Sequence, residues 1–149
     1  MRIILQRVLQ ASVTIDGAVT SQIRAGFVAL IGVTDADNRD IADKMLAKIA
    51  KLRVFADADG KTNLSQADVG AEILCVSQFT LYADCKKGNR PGFAKSGSPS
   101  HAREIYEYFA DRCAGVFACA ERGVFGADMK VSLTNDGPFT IILDSDEML

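Results

Sequence analysis

The chain has 149 residues, 48% hydrophobic and 24% charged, with 17 basic against 19 acidic side chains and a net charge of −2. That length suits one domain, residues 1–149, with a core that needs neither disulfides nor metal. The charge excludes a global basic field, so a nucleic-acid partner would have to be met by a local patch.

The longest apolar run, Phe27–Val33, is too short to span a bilayer. The opening Met1–Arg7 is broken by Gln6 and Arg7 and lacks the apolar region of a secretion signal. A cytoplasmic location is therefore expected. Cys75, Cys85, Cys113 and Cys119 form no closely spaced pair, and His101 is the single histidine, so no zinc site is expected. Cys75 and Cys113 read as small core residues and all four as free thiols.

Ile3–Ile15 reads as a strand, closed by the hairpin signal Asp16-Gly17, with Val19–Ile23 returning and Gly26–Val33 as a buried strand. Asp37–Val54 switches to helical period, with Ile41, Met45, Leu46, Ile49 and Leu52 on one face and Asp37 as N-cap. Val54-Phe55 reads as a short strand before the turn Asp57–Gly60, and Ile73–Leu81 as a strong strand. Ser98 and Pro99 open a second helix with the apolar stripe Ala102, Ile105, Tyr106, Phe109 and Cys113. Met129–Leu133 and Phe139–Leu143 are the last two strands. The pattern predicts an α+β fold: about seven strands, largely antiparallel, with two helices over one side.

Between the last two strands lies Asn135-Asp136-Gly137-Pro138. Gly137 can take backbone angles closed to other residues and Pro138 has no N–H, so the step can aim carbonyls away from the ladder. On the residues alone a plain turn is the commoner outcome. Ser77-Gln78-Phe79-Thr80 crowds polar groups at the end of an apolar strand. If the strand bends there, the N–H groups near Phe79 and Thr80 are free to hold an oxyanion. A hydroxyl nucleophile needs a base, but His101 reads as an exposed helix residue, and no triad, phosphate loop or paired carboxylates stand out. Lys86, Lys87, Arg90 and Lys95 lie in a glycine- and proline-bearing stretch, either a solvated loop or a local RNA patch. Phe125 and Met129 are core residues or walls of an apolar pocket.

Taken together, SQFTL at 77–81 and NDGPFT at 135–140 resemble the paired signatures of the D-aminoacyl-tRNA deacylases, also called D-tyrosyl-tRNA deacylases. The likeness extends through MRIILQRVLQASV at 1–13, LIGV at 30–33, GKTNLS at 60–65, GNRPGF at 88–93 and FGADMKVSL at 125–133. Thr62 stands where the family usually has methionine, and Gly92 where it often has serine.

The resemblance implies a barrel-like, largely antiparallel sheet under two helices. It implies an esterase that frees D-amino acids, and wrongly attached glycine, from the terminal adenosine of tRNA. It further implies a homodimer with its sites at the interface, and no cofactor, metal, membrane or DNA. Gly137–Pro138 would be cis and reach into the partner's pocket, its carbonyls accepting from the substrate ammonium while excluding L-amino acids. Thr80 would be the nucleophile, or the ribose 2′-hydroxyl would assist while the N–H groups near Phe79 and Thr80 hold the oxyanion. Ser77 and Gln78 would shape the pocket, Arg7 brace it, and Phe125 and Met129 line the adenosine or aminoacyl region. Lys86, Lys87, Arg90 and Lys95 would hold tRNA. A general small-ester hydrolase of the same fold and a non-catalytic RNA-binding module are the alternatives.

Overall fold

The computed structural model describes residues 1–149. Its strands are β1 (Arg2–Ile15), β2 (Ala18–Ile23), β3 (Gly26–Gly32), β4 (Phe55–Ala56), β5 (Thr62–Leu64), β6 (Glu72–Ser77), β7 (Ala120–Arg122) and β8 (Lys130–Asp144). Its α-helices are α1 (Arg39–Lys51), α2 (Gln66–Val69), α3 (Pro99–Cys113) and α4 (Ser145–Met148). A 3-10 turn, Phe79–Tyr82, follows β6. The α+β class is as expected, with eight strands where about seven were predicted and two extra single-turn helices.

β1 is the axis of assembly. Asp16 (φ 49°) and Gly17 (φ 79°) fold it back onto β2 through the two-residue hairpin the sequence announces. One edge of β1 pairs first with β3 and then with β2, while the other pairs with β8. The sheet then continues from β3 to β6 to β7 through parallel pairings. The sheet is therefore mixed, and the largely antiparallel expectation holds only for its β1 half. The parallel step comes from α1, which carries the chain over the sheet before β6 returns beside β3.

The two faces of the sheet bury two cores. Ile3, Leu5, Phe27, Ala29, Ile31, Ile73 and Cys75 face the helices, where Met45 and Ile49 of α1 and Ile105, Tyr106, Phe109 and Cys113 of α3 cover them. Burial of each large aliphatic or phenylalanine side chain among them stabilises the fold by roughly 1.5–3 kcal/mol. Val8, Ala11, Val13, Ile23, Val28, Leu74 and Val76 form a smaller core on the opposite, inward-curling face. The helix stripes fall where periodicity places them, and Cys75 and Cys113 are buried free thiols.

Asp37 is not the N-cap of α1. Asn38 caps it, accepting from Ile41 N at 3.0 Å. The Asp37 carboxylate is held instead by the α-ammonium of Met1 and by the amide and hydroxyl of Thr34. Those partners use both of its oxygens, leaving Asn38 free to cap. The predicted β6 ends at Ser77 rather than Leu81. The two predicted strands 129–133 and 139–143 are one strand, β8, because both halves pair with β1 in the same direction. Gly137–Pro138 is thus an excursion from a continuous ladder, not a reversing turn.

Two buried carboxylates fasten the sheet. Glu72 accepts from the amide and guanidinium of Arg24 at 2.7 and 2.9 Å, and these bonds hold its carboxyl below the ordinary range. Burial alone would raise Asp144, but Arg2 and the Asp146 amide outweigh it, so its carboxyl also lies below the ordinary range. A carboxyl depressed in the folded state contributes stability above its unfolded value and loses it as pH falls through the folded one. Urea unfolding from about pH 7 to about pH 2 is expected to show stability falling once pH drops below about 4, with a shallower fall in Glu72→Gln and Asp144→Asn.

Candidate active site

The polar cluster sits where β6 stops. Gln78 donates the last rung, its amide reaching Ile31 O at 2.7 Å, and then leaves the ladder at φ −145°, ψ 78°. The chain turns there because Gly32 leaves room. A Cβ on Gly32 would lie 3.1 Å from both Leu81 Cβ and Tyr82 Cε2 and 3.2 Å from Gln78 O. The turn is closed by Leu81 N to Gln78 O at 3.2 Å and Ala83 N to Thr80 O at 3.1 Å. The amides of Phe79 and Thr80 fall ahead of the first of these donors, where a helical turn leaves N–H groups without an internal partner. Ser77 and Gln78 are half-buried, and Phe79 and Thr80 exposed.

This arrangement answers a geometric objection raised by strand periodicity. In a continued strand Ser77 and Thr80 would point to opposite faces. The 3-10 turn releases Thr80 from that alternation, and its hydroxyl accepts from the Gln78 side-chain amide. An amide donor is not a base. His101 does not supply one: it is half-buried rather than exposed, and its Nε2 lies 2.8 Å from Asp37 O. The chemistry on offer is therefore a pair of backbone donors beside a hydroxyl and a carboxamide.

β7 pairs with β6 up to Cys75–Arg122, so the segment from Gly123 to Met129 leaves the sheet beside the Ser77 end. Tyr106 locks that junction, donating to Cys75 O at 3.0 Å and lying 2.9 Å from Gly123 O. Phe125 and Met129 separate here. The Phe125 ring packs 6.0 Å from Tyr106 on the helix side, under Arg103. Met129 packs against the inward core, its sulfur filling the space a Gly123 side chain would need. Both are half-buried.

The second motif lies across β1. Thr140 pairs with Gln6 and Asn135 with Val8, and residues 136–139 between them have no β1 partner. The Gly137–Pro138 bond is cis, as the resemblance implied, and both residues are exposed. Asn135 ties the neck of the bulge, accepting from Phe139 N at 2.6 Å and donating to Thr140 Oγ1 at 3.0 Å. Arg7, opposite, donates to Asp136 O at 3.2 Å, pairs with the Asp136 carboxylate at 3.2 Å and lies 4.6 Å over the Phe139 ring. It also donates to Val54 O. Gly137 sits at φ +132°, and a Cβ there would lie 3.1 Å from Phe139 N and 3.2 Å from Arg7 Nη2. No sequence signal singles out Asn135 or Val54 for these roles, beyond the short polar side chain of Asn135 next to a turn residue.

The two motifs do not meet in one chain. Ser77 is level with Ile31 and Ile3, whereas the bulge is level with Arg7 on the opposite edge of β1 from β3 and β6. No hydrogen bond joins residues 77–80 to residues 135–140. The basic loop is closed by Asp84 and Gly92, bonded both ways at 2.7 and 2.9 Å, with Lys86, Lys87 and Arg90 exposed at its tip. Lys95 lies 3.9 Å from Asp84.

A model of the D-Tyr-tRNA(Tyr) deacylase family matches residues 4–144. The D-aminoacyl-tRNA deacylase of Thermus aquaticus is 54% identical over 149 residues, covering 99% of this chain and 97% of that one. That of Lactobacillus gasseri is 51% identical over 144 residues, covering 97% of this chain and 99% of its own. Among solved structures, a c-Myc DNA unwinding element binding protein superposes with a TM-score of 0.89 at 39% identity, over 97% of this chain and 98% of that one. A probable eukaryotic D-amino acid tRNA deacylase superposes with a TM-score of 0.82 at 14% identity, over 95% and 97%, a likeness of fold.

Arg7 ties the bulge to β1 and to Val54 O, and its side chain is only 13% exposed. Arg7→Ala is expected to lower stability by about 1–3 kcal/mol, through the carbonyls it leaves unpaired. Amide hydrogen exchange is expected to speed up selectively at Asp136, Gly137 and Phe139.

Proposed function

This chain belongs to the D-Tyr-tRNA(Tyr) deacylase family, and from that premise we propose that it recognises its substrate with main chain from two segments, the bulge of one protomer and the β6 end of another. The protein is a hydrolase of ester bonds, a D-aminoacyl-tRNA deacylase. The finer reading rests on one observation: the exposed Gly137–Pro138 bulge and the exposed residues Phe79 and Thr80 stand apart within one chain. A homodimer that brings one protomer's bulge to the other's β6 end completes a site that neither holds alone.

In that site the carbonyls of Gly137 and Pro138 accept from the substrate α-ammonium. An L-amino acid drives its side chain into the same backbone, so discrimination arises by steric exclusion. Arg7, donating to Asp136 O, and Asn135, accepting from Phe139 N, tie the backbone on either side of those carbonyls. Glycine has no side chain to exclude, so glycyl-tRNA is a second substrate. The amides of Phe79 and Thr80 hold the oxyanion, and the ribose 2′-hydroxyl assists, because the nearest partner of Thr80 is a donor. Ser77 and Gln78 orient the ester. Met129 and Phe125 wall the adenosine side, and Lys86, Lys87, Arg90 and Lys95 meet RNA phosphates.

Release of D-tyrosine from D-Tyr-tRNA with L-Tyr-tRNA left intact is expected, and equal turnover of both would refute the exclusion argument. Phe79→Pro deletes one amide at the first helical position, where proline is tolerated. It is expected to lower kcat by about 10²-fold or more relative to Phe79→Ala, which keeps the amide. Gly137→Ala is expected to be defective too, and a mixture of the two variants to regain activity through hybrid dimers. No recovery on mixing would overturn the shared site.

Thr80→Ala is expected to keep substantial activity, whereas tRNA ending in 2′-deoxyadenosine is expected to be a poor substrate. Complete loss in Thr80→Ala, with fold and binding intact, would restore threonine as nucleophile.

A further inference from the structure

Phe79 and Phe93 are the one pair of large aromatics that the surface exposes side by side. They are 55% and 39% exposed, with ring centroids 5.0 Å apart at 68°. Isolated apolar side chains on a surface are ordinary, but an edge-to-face pair held in place by its backbone is not a random scatter. Ser96 Oγ donates to Phe79 O at 3.0 Å, Ser96 N to Phe93 O at 3.0 Å and Gly97 N to Val33 O at 2.8 Å. With the Asp84–Gly92 bridge, these bonds fasten both ends of the basic loop to the turn that ends β6. The loop's fixed base sets Phe93 against Phe79, and its tip carries Lys86, Lys87 and Arg90, none of which has a carboxylate partner.

Aromatic faces beside unpaired cations suit single-stranded nucleic acid, whose bases stack while its phosphates are neutralised. A second apolar protein surface would leave those three cations unmatched. We propose that Phe93, braced by Phe79, is a stacking platform for the base preceding the terminal adenosine, with the Lys86–Arg90 tip on the adjoining phosphates. This rests on the deacylase reading, which puts the ester at the Phe79 and Thr80 amides. It adds a subsite for the incoming strand, and explains how a small acidic protein could select an RNA end over a free amino-acid ester.

The chain has no tryptophan, so Phe93→Trp installs a single fluorophore at the platform. Its emission is expected to be exposed to acrylamide in the protein alone and quenched on titration with a short single-stranded RNA ending in CCA. Phe93→Ala is expected to lower the ratio of kcat/KM for D-Tyr-tRNA over that for D-tyrosyl-adenosine about tenfold, chiefly through KM, the size of one lost base–aromatic stack. Phe93→Tyr is expected to restore the ratio. An unchanged ratio overturns the platform, as does the absence of RNA quenching. A tryptophan already shielded from acrylamide overturns it too, in favour of a second copy covering the pair. Quenching by RNA in a protein that fails to deacylate D-Tyr-tRNA supports the platform and overturns the deacylase reading instead.

Discussion

The β1 ladder is the constraint on which the rest depends. β1 is paired along both edges, and its partners cannot shift without moving every side chain to the other face. It uses that rule twice. Opposite Thr134 and Asn135, residues Val8 to Gln10 hold one residue more than β8 does, so Leu9 is extruded and the facing parity changes. Ile3 and Leu5 therefore look toward the helices, while Ala11 and Val13 look into the curled face. Opposite Arg7 the excess is on β8, and the residues that do not fit the ladder are Asp136 to Phe139. The bulge is held on one side by the ladder that resumes at Thr140 and on the other by the guanidinium of Arg7.

The end of β6 is built with equal economy. Glycine at position 32 lets the 3-10 turn lie against β3, and the amides of Phe79 and Thr80 precede the turn's first internal donor, Leu81 N. A site of this kind needs no titrating side chain to be in a particular state. Donors fixed by a fold lose little on meeting a developing charge. The bulge is tied on either side of Gly137–Pro138, with Asp136 O accepting from Arg7 and Phe139 N donating to Asn135. The single histidine lies against Asp37 O and supplies no base to either motif.

Local chemistry was legible where its signal spans a few residues. Asp16-Gly17 announced its hairpin, Ser98-Pro99 its helix start, and the apolar stripes of α1 and α3 their buried faces. Asp37 misled because a cap-forming residue next to a helix reads the same whether or not something distant claims it. Here Met1, 36 positions away, does. The strand predicted over 73–81 ran too long because Leu81 and Phe79 look like strand residues, and nothing nearby says that Gly32 will receive a turn. The parallel pairing of β3 with β6 was equally silent, since periodicity reports burial and not the direction of a neighbour.

By itself the sequence determined the fold class, the two helix faces and, through two short motifs read together, the family. The first two follow from side-chain volume, backbone freedom and hydrogen-bonding capacity, which are properties of neighbours in the chain. The tertiary structure decided that residues 130–144 are one strand and that Gly137–Pro138 leaves it as a bulge. It decided that Arg7, 129 positions from Asp136, holds that bulge in place. It also decided that the two motifs face solvent apart from each other. These are matters of register and pairing, fixed only when both edges of β1 are filled by segments remote in sequence.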